Sequence, residues 1–173
     1  MPIGKSTPSA QMDPLDWRIL GELQADARLS YSELGRRIGL STPATAERVR
    51  RLEDWGVIRG YAAVVDPERV GLAVGAFIRI RLTGPETLAQ KLNSALGGMP
   101  EVLECHRCTG DESFILKVRV ESVGRLESLI DKLTPFGATS TSLILSSPVD
   151  RRIILPADPG YSTVKPSMST NEP

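Results

Sequence analysis

The sequence has few of the residues on which metal or covalent chemistry depends. Its 173 residues include two cysteines and one histidine, too few for the four ligands of a structural zinc site. Cys105 and Cys108 fall on a predicted strand, where they would point to opposite faces and could not readily share a metal or a disulfide. There is no second histidine and no G-x-S-x-G sequence around a nucleophile. We therefore expect no metal, no cofactor and no enzymatic activity.

Long apolar runs and an excess of one charge are also lacking. No segment approaches the roughly 18 apolar residues of a membrane-spanning helix, and the first residues lack the apolar stretch of a signal peptide. The 21 Lys and Arg equal the 21 Asp and Glu, which excludes a polybasic coat and an acidic solvating chain. Together with the low cysteine content, these features predict a cytoplasmic protein with no membrane partner.

The pattern of residues divides the chain into four segments. Residues 1–12 and 156–173 are rich in Ser, Pro and Thr and have no periodicity, which predicts a flexible leader and a flexible tail. Residues 13–66 have helical spacing followed by a β-branched stretch, whereas residues 67–155 alternate between strand and helix patterns. We therefore expect two small domains between two mobile ends.

Residues 13–66 carry the start and stop signals of three helices. Asp13-Pro14 is an N-cap followed by proline, and Ser30 to Glu33 matches an S-x-x-E capping box. Gly39-Leu40-Ser41 supplies a helix-ending glycine and the N-cap of a third helix. Residues 57–65 are β-branched at several positions, which predicts a strand. Three helices with a tight link and a following strand predict a winged helix-turn-helix.

Residues 67–155 predict an α+β domain with the order β-α-β-β-α-β, which is the ferredoxin-like arrangement. Two helices on one side of the sheet would leave its other face for solvent or for a second copy of the chain. The predicted strands are 74–82, 102–109, 114–120 and 138–147, and the helices are 88–96 and 126–133. The residues expected on the uncovered face are Arg79, Arg81, Ile115 and Lys117.

The last helix of a helix-turn-helix enters the major groove of DNA with its N-terminal part. Here that helix would present Ser41, Thr42, Pro43, Thr45 and Arg48 away from an apolar stripe of Ala46, Val49 and Leu52. Residues 36–51 also contain five arginines and one acid, a local charge of +4, which suits phosphate contacts. These arginines are Arg36, Arg37, Arg48, Arg50 and Arg51. The alternative is a three-helix interaction module with a solvated basic face.

At this point the chain resembles the leucine-responsive regulatory protein/AsnC family of feast/famine regulators. The match begins with Asp13-x-x-Asp16-x-x-Ile19-Leu20-x-x-Leu23 and continues through Asp26-Ala27-Arg28-Leu29-Ser30, Glu33-Leu34 and Ile38-Gly39-Leu40-Ser41. It ends with Arg48-Val49-x-x-Leu52-x-x-x-Gly56-Val57-Ile58-x-Gly60-Tyr61. The second domain is similar through its element order and the Gly110 turn before Phe114-Ile115-Leu116-Lys117-Val118. The resemblance covers about residues 13–150.

The resemblance implies a transcription regulator that binds double-stranded DNA, dimerises through its C-terminal sheets and assembles further into tetramers or octamers. It also implies a small-molecule effector, an amino acid or a related metabolite, between effector domains. The implied contacts are Thr109, Gly110, Asp111, Glu112, Ser113, Thr139 and Thr141. Two positions depart from the family pattern: Ser113 stands where aspartate is common, and Gly35 stands where alanine is usual.

Alternatives to this interpretation remain open on the sequence alone. Backbone N–H groups of the Gly110 turn could hold a carboxylate while Asp111 or Glu112 pairs with an amino group. The turn could equally be a plain hairpin with solvated acids. Sirohaem decarboxylases resemble the same family in both domains, and His106 gives that reading some support. A metabolite-binding oligomer without DNA binding is the third alternative.

Overall fold

The computed structural model describes residues 12–85 and 87–156. The described residues form two compact units, one of 12–63 together with 151–156, the other of Val64–Asp150. The sequence placed this boundary after Asp66 and assigned residues 151–155 to the second domain, whereas they group with the first unit. The predicted leader, apart from Met12, and the predicted tail beyond Pro156 lie outside the described residues.

The first unit contains three helices, α1 (Pro14–Ala25), α2 (Tyr31–Ile38) and α3 (Thr42–Asp54). All three begin at the predicted caps, where a side-chain oxygen accepts a hydrogen bond from the backbone N–H three residues later. These bonds measure 2.9 Å at Asp13, 3.2 Å at Ser30 and 3.4 Å at Ser41. Gly39 ends α2 with a φ of 79°, a conformation that side chains with a Cβ rarely adopt. The predicted helix-turn-helix is therefore confirmed.

A small apolar core holds the three helices together. Its buried residues are Ile19, Leu23, Leu34, Ile38, Val49 and Leu52. The segment returning from the other end of the chain is attached through Gln24 on α1. The Gln24 amide donates to the Ile154 carbonyl at 3.0 Å and accepts from the Ile154 N–H at 2.8 Å, so the side chain binds this backbone as a neighbouring strand would.

The strand predicted at residues 57–65 is wrong. This segment has no regular secondary structure and pairs with no strand in the described part of the chain. Val64 and Val65, whose β-branched side chains suggested the strand, are exposed. A ladder requires a partner for its N–H and C=O groups, and side-chain composition cannot supply one. The wing is therefore an irregular segment after α3.

The second unit contains a four-stranded sheet in the predicted β-α-β-β-α-β order. Its strands are β1 (Val74–Leu82), β2 (Val102–Arg107), β3 (Phe114–Val120) and β4 (Gly137–Leu143), and its helices are α4 (Thr87–Leu96) and α5 (Val123–Leu133). A short 3₁₀ helix, Thr134–Phe136, precedes β4. All neighbouring strands are antiparallel, in the spatial order β2-β3-β1-β4. This is the split βαβ arrangement of a ferredoxin-like domain.

One face of the sheet is covered and the other is not. Ile78 and Leu116 are paired on the covered face and pack in one cluster with Leu92 of α4 and Leu129 of α5. The alternate residues face the other way, and Phe77 among them is 40% exposed. The predicted residues of the uncovered face lie there: Arg79, Arg81, Ile115 and Lys117.

β4 ends four residues earlier than predicted, at Leu143. The last β1–β4 pair is Ala76 with Leu143, and Ile144 adds a single N–H bond to the Gly75 carbonyl at 2.8 Å. Leu145 lies beyond the strand and is 94% exposed. In the described part of the chain, no helix is long and apolar enough to cross a membrane.

Candidate nucleic-acid interface and effector turn

The exposed side of α3 begins at its first turn. Ser41, Thr42 and Pro43 are exposed, as are Glu47 and Arg50 one and two turns further on. Because successive residues are about 100° apart around a helix, Pro43, Glu47 and Arg50 share one face. Hydroxyl and guanidinium groups can donate to base edges and phosphates, and a carboxylate can accept from a base amino group, so this face has the chemistry of a DNA-reading surface.

Thr45 does not belong to that surface, contrary to the prediction. It is fully buried, and its Oγ1 donates to the Ser41 carbonyl at 2.9 Å. The inward stripe of α3 is Thr45, Val49 and Leu52, whereas Ala46 is only half-buried. The spacing i, i+4, i+7 keeps three side chains within about 60° of each other, but i, i+3, i+6 spreads them over about 120°. The predicted stripe is therefore confirmed at Val49 and Leu52 and wrong at its first position, where Thr45 and not Ala46 faces inward.

Gly35 explains how a threonine fits inside this small core. A Cβ at position 35 would lie 2.6 Å from the Leu40 carbonyl oxygen and 2.8 Å from Thr45 Oγ1. Both distances are too short for ordinary contact, so glycine permits the close approach of α2, the turn and α3. Glycine at position 35 thus leaves the space that the Leu40 carbonyl and the Thr45 hydroxyl occupy.

Arg36 and Arg37 share one carboxylate on the outside of α2. Arg36 forms two bonds to Glu33, at 2.8 and 2.9 Å, and Arg37 Nε adds a third at 2.9 Å. Arg37 also pairs with Glu22 of α1 at 2.8 Å. Hydrogen bonds from Arg36 and then Arg37 lower the pKa of Glu33 to about 2. Because the Glu33 carboxylate binds these arginines, only one bond of the predicted capping box forms, the one that the Ser30 hydroxyl accepts from the Glu33 N–H.

Arg48 and Arg51 bind acids at the start of α1. Arg48 Nη1 lies 2.7 Å from Asp13 Oδ2 and 2.8 Å from Asp16 Oδ1. Arg51 Nη2 reaches both oxygens of Asp16, at 2.9 and 3.0 Å. Burial acts to raise the pKa of Asp13, but the Asp16 N–H and the Arg48 guanidinium outweigh it and lower that pKa.

The local charge of +4 is therefore mostly neutralised within the first unit. Of the five arginines counted from sequence, only Arg50 has no ion pair with a described residue. The sequence indicates that acids of the first helix offset this charge overall, but it does not show which acid pairs with which arginine, since Asp16 and Arg48 are 32 residues apart.

The candidate effector turn joins β2 to β3. Cys108 N–H bonds to the Ser113 carbonyl at 3.0 Å and closes the hairpin, with Gly110 at a φ of 103°. Ser113 also bonds to β1, since its N–H donates to the Ile80 carbonyl at 2.9 Å and its Oγ accepts from the Leu82 N–H at 3.2 Å. The Ser113 hydroxyl thus extends the β1–β3 ladder, while Thr109, Gly110 and Asp111 are exposed.

Thr139 and Thr141 lie on a different strand from the turn. They share one face of β4, opposite Ile80 and Ile78 of β1, and both are half-buried. β1 lies between β3 and β4, so about 10 Å separates the strands that carry the two groups. Within one copy of the chain, the predicted effector residues therefore form two groups at the same end of the sheet.

His106 and Cys105 of β2 have ordinary surroundings, as does Cys108, which follows the strand rather than lying within it as predicted. His106 Nε2 lies 3.2 Å from Glu104 Oε2 on the uncovered face, and Lys117 contacts the same carboxylate at 3.3 Å. Hydrogen bonds from His106 and then Lys117 lower the pKa of Glu104. Both cysteines are free thiols, and burial raises the pKa of Cys105.

A three-helix unit with an exposed recognition helix, joined to an α+β unit with an uncovered sheet face, is the architecture of a helix-turn-helix transcription regulator with a separate sensing domain. Residues 12–53 match the family model of the AsnC-type helix-turn-helix domain, and residues 75–154 match the Lrp/AsnC ligand binding domain. The chain belongs to the Lrp/AsnC family of transcription regulators.

Characterised relatives agree with this assignment. The chain is 35% identical over 136 residues to the HTH-type transcriptional regulator LrpC of Bacillus subtilis, covering 79% of this chain and 93% of the relative. It is 38% identical over 127 residues to the leucine-responsive regulatory protein of Escherichia coli K12, covering 73% and 77%.

Solved structures show the same fold. The structure of B. subtilis LrpC has a TM-score of 0.77 at 34% identity, covering 81% of this chain and 99% of that one. A transcriptional regulator of Neisseria meningitidis in complex with L-methionine has a TM-score of 0.79 at 28% identity, covering 83% and 96%.

Proposed function

We propose that this regulator binds double-stranded DNA through the first turn and exposed side of α3, with α2 beside the phosphate backbone. The observation that supports this most directly is the exposure of Thr42, Pro43 and Arg50 on one side of a capped helix, where Arg50 has no acid to neutralise it among the described residues. Ser41 is exposed beside them, and Arg36 extends from α2 with 73% of its side chain exposed. These groups supply hydroxyl and guanidinium donors for bases and phosphates.

The proposed regulator acts in the cytoplasm as a homodimer formed through the uncovered sheet face. Phe77 and Ile115 give this face an apolar centre, and Arg79 bonds to Ser142 at 3.0 Å beside them. A two-fold interface would bring two recognition helices to two half-sites. Tetramers or octamers of such dimers are the larger assemblies that we propose.

The proposed effector is an amino acid or a closely related metabolite. One relative is named for its response to leucine, and a structural neighbour holds L-methionine. In this chain the exposed turn residues Thr109, Gly110 and Asp111, with Glu112 beside them, offer backbone N–H groups for a carboxylate and acids for an ammonium group. Thr139 and Thr141 would contribute hydroxyls, and a second copy would complete the site, since β1 separates the two groups.

The test of the DNA interface is Arg50→Ala, with Lys91→Ala as a control of equal charge on the exposed side of α4. Fluorescence anisotropy with an operator selected from random duplexes would be recorded at several salt concentrations. We expect Arg50→Ala to weaken binding about tenfold and to lower the slope of log K against log[salt] by about 1, the loss of one phosphate or base contact. Equal behaviour of the two variants would contradict the assigned interface.

The effector is tested by thermal melting of the full chain with each amino acid in turn. A ligand that binds the folded state raises the melting temperature, and Asp111→Asn should remove that increase. Glu121→Gln, an exposed carboxylate at the far end of β3, should keep it. If no amino acid raises the melting temperature of the parent protein, the proposed effector class is wrong.

A further inference from the structure

The carboxylate of Asp16 is the most enclosed charged group in the first unit. Asp16 is fully buried in the first turn of α1. Its oxygens accept hydrogen bonds from the Asp13 N–H at 3.2 Å, from Arg48 at 2.8 Å, and from Arg51 at 2.9 and 3.0 Å. A buried charge is tolerated only when it is paired and hydrogen-bonded in this way.

This carboxylate fixes α3 at two successive turns. Arg48 and Arg51 are three residues apart and therefore neighbours on one side of the helix. Because a single group on α1 holds both, α3 can neither rotate about its axis nor slide along it without breaking one pair. Arg51 is restrained further, since its guanidinium lies 4.9 Å from the centre of the Trp55 ring.

The pairs lie away from the proposed DNA-reading side. Arg48 and Arg50 differ by two residues, which is about 200° around a helix. When Asp16 holds Arg48 on the α1 side, Arg50 and Pro43 are consequently turned outward. The side chain of Arg48 is only 22% exposed, so its guanidinium is enclosed by the protein rather than presented to a groove.

We propose that Asp16 is a positioning residue for DNA recognition, which sets the rotation of the recognition helix through Arg48 and Arg51. Arg48 and Arg51 then act on DNA through this arrangement rather than by direct contact, which revises their predicted role. The proposal rests on the proposed DNA interface of α3. The change in DNA affinity that it predicts is opposite in sign to the one expected from electrostatics alone, because loss of an acid should by itself strengthen binding to a polyanion.

The principal test is Asp16→Asn in the full chain, with Asp54→Asn as a control. Asp54 lies exposed at the last position of α3, so both variants gain the same charge in the same unit. Anisotropy would be measured with the selected operator and with an unrelated duplex of equal length. We expect Asp16→Asn to lose at least about tenfold in operator affinity, the loss of one base contact, while its affinity for the unrelated duplex stays equal or rises. Asp54→Asn should keep the operator preference of the parent.

Operator binding by Asp16→Asn that equals or exceeds that of Asp54→Asn would overturn the proposal. Absence of operator binding by the parent protein would instead contradict the proposed function. If circular dichroism shows that Asp16→Asn does not fold, the deciding measurement is the binding of Arg48→Gln to the unrelated duplex at several salt concentrations. A salt slope equal to that of the parent supports positioning, whereas a slope lowered by about 0.9 indicates a direct phosphate contact and overturns the proposal.

Discussion

The two units of this regulator are stabilised in different ways. Twelve buried residues form the core of the sheet unit, and all are apolar. The helix-turn-helix unit has six buried apolar residues, and it also contains both buried polar side chains of the described chain, Asp16 and Thr45. Apolar burial is strong but has no direction, whereas hydrogen bonds and ion pairs have defined geometry. The polar groups are thus concentrated where the orientation of one helix matters.

The difference also extends to the surfaces of the units. The sheet unit leaves a whole face uncovered, with Phe77 at its centre. The helical unit instead neutralises its own arginines, so that Arg36 and Arg37 lie against Glu33. One surface is suited to burial against a second copy, and the other to a selective encounter with a polyanion.

The largest effect is expected from Phe77→Asp, which would disrupt the dimer contact that we propose for the uncovered sheet face. A two-fold interface loses the side chain twice. At about 1.5 kcal/mol for each buried phenyl group, the loss is about 3 kcal/mol, or a dimer about 100-fold weaker. Sedimentation velocity over a range of concentrations measures this change.

The control for Phe77→Asp is Val123→Asp. Val123 is 63% exposed at the start of α5, so the change places the same charge on another apolar surface of the unit. Val123→Asp should leave the dimer intact. If both variants dissociate equally, the uncovered face has no special part in assembly.

A smaller effect is expected at Gly35, where the usual gain in stability from replacing a helical glycine by alanine should be reversed. Replacing glycine by alanine within a helix normally stabilises by up to about 1 kcal/mol. At Gly35 the added Cβ would clash with the Leu40 carbonyl and Thr45 Oγ1, and overpacking costs about 1–3 kcal/mol. Urea unfolding should therefore show Gly35→Ala to be about 1 kcal/mol less stable than the parent.

Gly21→Ala in α1 provides the matched comparison, because a Cβ there meets nothing within 4 Å. We expect this variant to gain stability by the ordinary helix propensity. Gains of equal size at both positions would show that the core of the first unit is less tightly constrained than the contacts of Thr45 indicate.

The smallest effect is expected from Glu33→Gln, which would sharpen the electrostatic side of the comparison. The change releases Arg36 from its only ion pair among the described residues, so binding to unrelated DNA should increase by a few-fold and become more salt-dependent, with a slope steeper by about 1. Glu127→Gln, an exposed acid of α5, carries the same change of charge and should alter neither. If both variants respond equally, the effect comes from the change in net charge and not from the release of Arg36.

The pKa of Glu33 adds a pH dependence to this measurement. Its folded pKa is about 2, below the ordinary value of 4.5, so the ionised form is favoured by folding. The stabilisation from these pairs is therefore present above about pH 4.5 and is lost as the pH falls toward 2. In the parent protein, Arg36 and Arg37 should remain paired at pH 5.

Apart from the strand predicted at residues 57–65, the sequence by itself determined the main helices and strands and their order. Capping side chains and glycines are local signals, so Asp13, Ser30, Ser41 and Gly39 located the helices of the first unit without reference to the rest of the chain. The alternation of β1 and β3 likewise assigned Arg79 and Lys117 to the uncovered face, because strand residues change sides at every step.

Only the tertiary structure decided which of the candidate residues are available to bind. Thr45 is buried because Gly35 makes room for it, and Arg48 is engaged because Asp16 lies beside it across 32 residues of chain. Residues 57–65 remain without a ladder because a strand needs a partner, which lies outside its own composition. The pairing of charges, the space around a side chain and the pairing of strands all depend on distant segments, and folding is what brings those segments into contact.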